Sequence, residues 1–217
     1  MRIFSFYYIS KLKEPKFSVL ENFYIKLNSL EFSKKSVWLY QIFPLRTSDI
    51  LVWLSFDFED EDVLYSFSGR IANIFYSSGV ELIDVLWGFT KPSIYTKDHK
   101  STQEIDPFSD KRLKYLVVYP FVKTAEWYLL KQDTRQGMMN EHIRIGKKYP
   151  SILQLLLYSF GLSDQEFVVA YEMDSIVEFE RLVYDLRSSE ARKYTLRDNP
   201  IYTGIYRRLE DFRNILL

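Results

Sequence analysis

The sequence predicts an α+β fold: tandem ferredoxin-like repeats, β-α-β-β-α-β twice over, forming a dimeric-type α+β barrel within one chain. Three observations predict it. Strand-length apolar segments alternate with segments of helical periodicity. The order strand-helix-strand-strand-helix-strand occurs twice within 217 residues. A single such unit has helices on one face of its sheet only, so the other face needs a cover that a second copy can supply.

In the first half, residues 2–9 read as a strand. A helix over 18–30 places Leu20, Phe23, Tyr24 and Leu27 on one face. Strands follow at 37–45 and 50–58, and the acidic stretch 59–62 opens a helix where negative charge suits the N-terminal dipole. A strand over 81–90 closes this half. The polar stretch 91–112 contains Pro92 and Pro107 and lacks periodicity, as a linker or loop does.

The second half repeats the pattern with a strand at 113–123. A helix to 149 follows, with Asp133 and Gln136 in the spacing of a capping box. Strands at 152–160 and 166–173 form a hairpin around residues 161–164. Ser175 and Glu178 form a second capping box ahead of a helix burying Ile176, Phe179, Leu182, Val183 and Leu186. A last strand at 201–207 precedes a short tail. The predicted division is a structural domain over 1–95, a linker or distal loop over 96–112, and a second domain over 113–217.

Composition excludes several functions. Lys+Arg and Asp+Glu are 29 each, so no net charge favours nucleic acid. There is no cysteine, which removes disulfides, thiolate zinc sites, iron–sulfur clusters and thiol nucleophiles. Only two histidines occur, His99 and His142, too few for a three-histidine zinc site. No run of 18 apolar residues and no signal-peptide pattern are present, so no membrane span and a cytoplasmic location are expected. Aromatic residues reach 18%, which suits either a Phe-rich core or a large flat apolar ligand.

His142 shares a helix face with Met138, Met139 and Ile145, with Gly146 one turn on. It is either a packed core histidine or the single protein ligand of a metal. With so few other donors, the metal centre best suited to one histidine is haem, whose ring supplies four nitrogens. The strand over 114–123 puts Tyr119 and Lys123 on one face, roughly 13 Å apart at strand rise. They fit a phenol near a ring centre and an ammonium near a peripheral carboxylate, or ordinary strand alternation. Arg187 and Arg192 suit forked carboxylate binding or a helix C-terminus. Glu190 is either a carboxylate behind a metal-bound imidazole or a surface residue.

The segments YPFVKTAEWYLL (119–130), RQGMMNEHIRIGKKYP (135–150), YDLRSSEARKY (184–194) and IYTG (201–204) resemble the chlorite dismutase-like haem family, which includes the coproheme decarboxylases. The resemblance implies a haem or coproheme cofactor with His142 on the iron. It implies Tyr119 as the tyrosine that becomes a radical and attacks a propionate. Lys123 and Arg187 would lie at propionates, joined by Arg192; Trp127 would line the pocket and Glu190 would be the acid behind the ligand. The implied reaction is peroxide-dependent oxidative decarboxylation of coproheme to haem b. The implied partners are the porphyrin and hydrogen peroxide, and the implied assembly is a homo-oligomer, a pentamer.

Thirteen residues after the ligand, where chlorite dismutases carry a distal arginine, this chain has Leu155, with Gln154 just before it. Leucine cannot polarise an oxyanion, so chlorite decomposition is not expected. His99 falls in the loop where the actinobacterial decarboxylases carry a distal histidine, about three residues out of register. The alternative function is a haem carrier or weak peroxidase of the same family.

Overall fold

The structure is a computed structural model that describes residues 2–95 and 102–216. The chain divides into two compact units. One comprises Met1–Thr90, Pro107–Lys111 and Tyr202–Leu217; the other comprises Lys91–Asp106 and Arg112–Ile201.

The first unit contains β1 (Arg2–Leu12), α1 (Phe17–Asn28), β2 (Lys35–Gln41), β3 (Ile50–Phe58), α2 (Asp62–Ser78) and β4 (Val80–Phe89). The strands are antiparallel in the order β4-β1-β3-β2, the ferredoxin-like arrangement. Side chains alternate along β1, so Phe4, Phe6 and Tyr8 fall on one face and meet Leu20 and Phe23 of α1 and Phe67 and Phe75 of α2. The high Phe content is spent here on ring packing, with Phe6 stacked on Tyr8 at 5.7 Å and on Trp87 at 5.4 Å. β2 stops at Gln41, short of the expected 45, because the backbone N–H groups of Ile42 and Phe43 both turn to the Asp49 carbonyl and Pro44 has no N–H for a ladder.

The second unit contains β5 (Tyr115–Lys123), α3 (Ala125–Leu129), α4 (Gln132–Gly146), β6 (Leu153–Tyr158), β7 (Phe167–Met173), α5 (Ile176–Arg187), a 3-10 turn (Glu190–Tyr194) and β8 (Thr195–Arg197). Its order, β8-β5-β7-β6, repeats that of the first unit. β8 is too short to register as a strand in the sequence. The expected closing strand, β9 (Tyr202–Arg207), pairs with β2 in the first unit, Leu39 opposite Arg207. What reads as a short tail includes Phe212, which is 1% exposed in the first unit's core.

Two helix starts test the capping signals. Ser175 caps α5, its hydroxyl accepting from the Glu178 N–H at 3.2 Å, while the Glu178 carboxylate accepts from Ser151 instead of returning to the cap. Asp133 does not cap α4. The cap falls two residues earlier, at Lys131, and Asp133 lies in the first turn, where its charge still suits the dipole.

The two helices of this unit differ in burial. α5 buries Phe179 and Leu182. α4, with the sequence QDTRQGMMNEHIRIG, buries Ile145 alone and packs chiefly on α5 and the 3-10 turn. A polar helix of that kind lacks the apolar stripe that would seal it onto the sheet. Beneath it, Gln154 and Leu156 of β6 remain exposed, the latter to 36%. The start of the unit is anchored by a buried pair: Arg112 lies 3.5 Å from Glu172 and donates to the Asp106 carbonyl at 2.7 Å.

Candidate functional site

Register determines which residues of the second unit share a face. Directly opposed residues of an antiparallel pair point to the same side. Tyr119 is opposite Val169, which is opposite Leu156; Tyr171 is opposite both Val117 and Gln154. These residues form the inner face, the side on which Val117, Val169 and Tyr171 pack with Ile145 of α4 and Phe179 of α5. Leu155 is opposite Ala170 and lies on the other face, 2% exposed. The spacing argument singled out Leu155, but the side chains that β6 turns toward Tyr119 are those of Gln154 and Leu156. One residue of register moves a strand side chain to the opposite face. No arginine occurs in β5, β6 or β7.

His142 sits in α4, one residue after Glu141, whose carboxylate accepts the backbone N–H of Glu190 at 3.1 Å. Burial first and the Lys123 charge second lower the imidazole pKa to about 4, with Glu141 acting in the opposite sense. It is therefore neutral at physiological pH. Neither ring nitrogen has a hydrogen-bond partner among the described residues, so a nitrogen lone pair is available to a metal. The Glu190 carboxylate is held by Lys193 at 2.8 and 3.0 Å, and not by His142.

Lys123 projects over the Trp127 ring, 4.6 Å from its centroid, and reaches the Ala191 carbonyl at 3.3 Å and the Thr195 hydroxyl at 3.4 Å. Burial and the nearby Arg192 lower its pKa to about 8, against the pull of Glu166. Glu166 accepts the Lys123 backbone N–H at 2.8 Å and the Tyr128 hydroxyl at 2.5 Å. Trp127 is 3% exposed and leans on Tyr194 at 5.7 Å, which fixes the floor under the ammonium. The Tyr119 phenol is held well above its ordinary pKa by burial, by the neighbouring Tyr171 hydroxyl and by Asp198, with Arg187 acting in the opposite sense. The Tyr119 and Tyr171 rings stack at 6.1 Å. Arg187 and Arg192 converge on one carboxylate oxygen of Asp198, at 2.7 and 3.0 Å.

The site thus gathers an uncharged imidazole, a phenol and three cations beside a partly open apolar face. Among the described residues no group of three His, Asp or Glu side chains could hold a metal ion. A metal on His142 must therefore bring its remaining ligands with it, as a porphyrin iron does. Nothing lies within 4 Å of where a Cβ on Gly146 would stand, so no packing contact within the chain demands a glycine there. These features fit an iron porphyrin. His99 lies outside the described residues.

The model of the family described as chlorite dismutase matches residues 17–207. The chain belongs to the chlorite dismutase family. Among its relatives in that family is a coproheme decarboxylase from Mycolicibacterium smegmatis, 30% identical over 173 residues that span 76% of this chain and 71% of that protein. A crystal structure of a protein assigned as a chlorite dismutase, TA0507, superposes with a TM-score of 0.82 at 26% identity, covering 100% of both chains. The chlorite dismutase of Candidatus Nitrospira defluvii in complex with imidazole superposes with a TM-score of 0.81 at 20% identity, over 98% of this chain and 94% of that one. These likenesses establish the expected α+β fold of duplicated ferredoxin-like units. Among the described residues no helix is long and apolar enough to cross a membrane.

Four residues of the site escaped sequence reasoning, and a fifth, Gln154, was noted only as the neighbour of Leu155. Gln154 and Tyr171 needed the strand register; Asp198 and Glu166 are ordinary loop acids until their partners are seen. Glu141 had the one available signal, its adjacency to His142.

Proposed function

We propose that this chain binds an iron porphyrin through His142 and carries out peroxide-dependent oxidative decarboxylation of coproheme to haem b, with the second unit holding the porphyrin and the first acting as a structural support. The observation that carries this reading is the neutral imidazole of His142, without a hydrogen-bond partner among the described residues and within electrostatic reach of Lys123, together with the Tyr119 phenol beside Arg187 and Asp198. The relative named coproheme decarboxylase supports the substrate.

Bound iron porphyrin, with peroxide as oxidant, would supply a centre that accepts two electrons one at a time, the first through Tyr119 and the second from the propionate carbon radical as its bond to the carboxylate breaks. The protein's residues do the rest. Lys123 and the arginines hold propionate carboxylates as charge-assisted partners. Tyr119 gives up an electron and its phenolic proton, then recovers both as a hydrogen atom from the propionate carbon next to the ring. For each propionate, the side-chain carboxylate, one peroxide and one proton become a vinyl group, carbon dioxide and two waters. The carboxylate carbon leaves as carbon dioxide, so the step is not reversed by rebinding.

The test is absorbance and chromatography after mixing the protein with ferric coproheme and peroxide. Vinyl-bearing porphyrin is the expected product; bleaching alone would favour a carrier and overturn the enzymatic reading. On the open side of the sheet, Gln154 takes the place expected of Leu155. A single neutral hydrogen bond is worth about 1 kcal/mol. Gln154→Leu should therefore slow peroxide-dependent turnover by about fivefold, whereas Leu155→Val should leave turnover unchanged and cost about 1 kcal/mol of stability. Initial rates and denaturation midpoints on the two variants check this.

A further inference from the structure

Two guanidinium groups meeting on a single carboxylate leave a charge of plus one. Arg187 and Arg192 do so on Asp198, at 2.7 and 3.0 Å, with side-chain exposures of 42%, 35% and 22% respectively. The cluster is partly open to solvent. It stands close enough to Tyr119 for Asp198 and Arg187 to act on that phenol in opposite senses. Arg192 in turn acts on Lys123. Neither arginine has another carboxylate partner among the described residues, and neither belongs to the packed core.

We infer that Asp198 is a specificity-determining residue, an internal carboxylate that occupies the arginine pair whenever no substrate carboxylate is there. This rests on the porphyrin reading above and deepens it. A substrate carboxylate beside Tyr119 meets two arginines already half neutralised by Asp198, so it gains the attraction of one net charge rather than two. When that carboxylate leaves as carbon dioxide, the arginines face a neutral vinyl group. Two neighbouring guanidinium groups with no carboxylate between them repel each other. Asp198 recovers them, and the site discriminates less strongly in favour of the ring with more carboxylates than the bare arginine pair would. The exposed Arg187 is the member of the pair freer to swing from Asp198 to an incoming carboxylate, while Arg192, less exposed, keeps its contact.

The experiment compares binding of two metal-free probes, coproporphyrin III with four carboxylates and protoporphyrin IX with two, by fluorescence titration of the wild type, Asp198→Asn and Asp198→Glu. Thermal unfolding midpoints serve as the control for folding. Partly exposed charge pairs contribute about 1 kcal/mol each, so Asp198→Asn should raise the ratio of four-carboxylate to two-carboxylate affinity by about five- to tenfold. The gain should shrink in high salt. Asp198→Glu, which keeps the charge, should stay near the wild-type ratio. An unchanged or lowered ratio in a folded Asp198→Asn protein would overturn the proposal and leave Asp198 a scaffold for the arginines. If the wild type binds neither probe, the porphyrin reading itself fails and this proposal falls with it.

Discussion

Tyr119→Phe is expected to abolish porphyrin decarboxylation while leaving porphyrin binding intact. Phenylalanine keeps the ring that stacks on Tyr171 at 6.1 Å and removes only the oxygen. It has no O–H to oxidise, so the route through Tyr119 closes. The expected loss in rate exceeds about a thousandfold, equivalent to more than about 4 kcal/mol of barrier. Removing a hydroxyl that shares a hydrogen bond with Tyr171 should change folding stability by no more than about 1.5 kcal/mol. The position is apt for hydrogen-atom chemistry because burial, Tyr171 and Asp198 all disfavour the phenolate. The phenol thus keeps its proton until an electron is withdrawn. Chromatography of the reaction products on the wild type and the variant reads the outcome directly. A phenylalanine variant that still makes vinyl porphyrin at a comparable rate would remove the radical role.

His142→Ala should have the second large effect. Losing an outer partner of a metal ligand costs about 10–100-fold in affinity, and losing the ligand itself should cost at least the upper figure. The Soret band of the bound ferric porphyrin should shift, and free imidazole should restore it by filling the space the side chain left. The pH dependence follows from the sign of the perturbation. Protonation competes with iron for the nitrogen lone pair, and an unperturbed histidine competes below about 6.5. The His142 pKa is lowered to about 4, by burial first and by Lys123 second. Ligation should therefore persist through pH 6 and 5 and fade only as pH falls through about 4. A wild-type spectrum that changes near pH 6.5, or an alanine variant with an unaltered Soret band, would rule out this imidazole as the ligand.

Much of the architecture was legible because side-chain period is a local property. The even positions of β1 and the 3.6-residue stripe of α2 announce themselves in the sequence, and α1 buries Leu20, Phe23 and Leu27 of the four residues expected on one face, with Tyr24 partly buried. The sequence also singles out His142 as a candidate, on a helix face shared with Met138, Met139 and Ile145. Three features were not legible. The boundary of α4 depended on where the chain leaves α3, and Asp133 within the first turn looks the same as Asp133 at a cap. The face of Leu155 depended on the first paired residue of β6, and a strand has no memory of a count begun thirteen residues upstream in a helix. Arg187 and Arg192 read as helix-end cations because their partner Asp198 lies beyond α5, and nothing in the spacing joins them.

The pairing of β9 with β2 has a consequence for how the polypeptide matures. Strand β2 ends at Gln41, and its edge neighbour begins at Tyr202. A nascent chain emerging from the ribosome has every helix of its N-terminal unit long before it has that strand or Phe212. Until the C-terminal segment arrives, the β2 edge keeps its backbone groups free for any passing chain, the situation in which aggregation begins. Completion of the earlier-synthesised unit is thus deferred until after the second repeat has been made, and cutting the gene between the two repeats would strip one half of a strand that belongs to it.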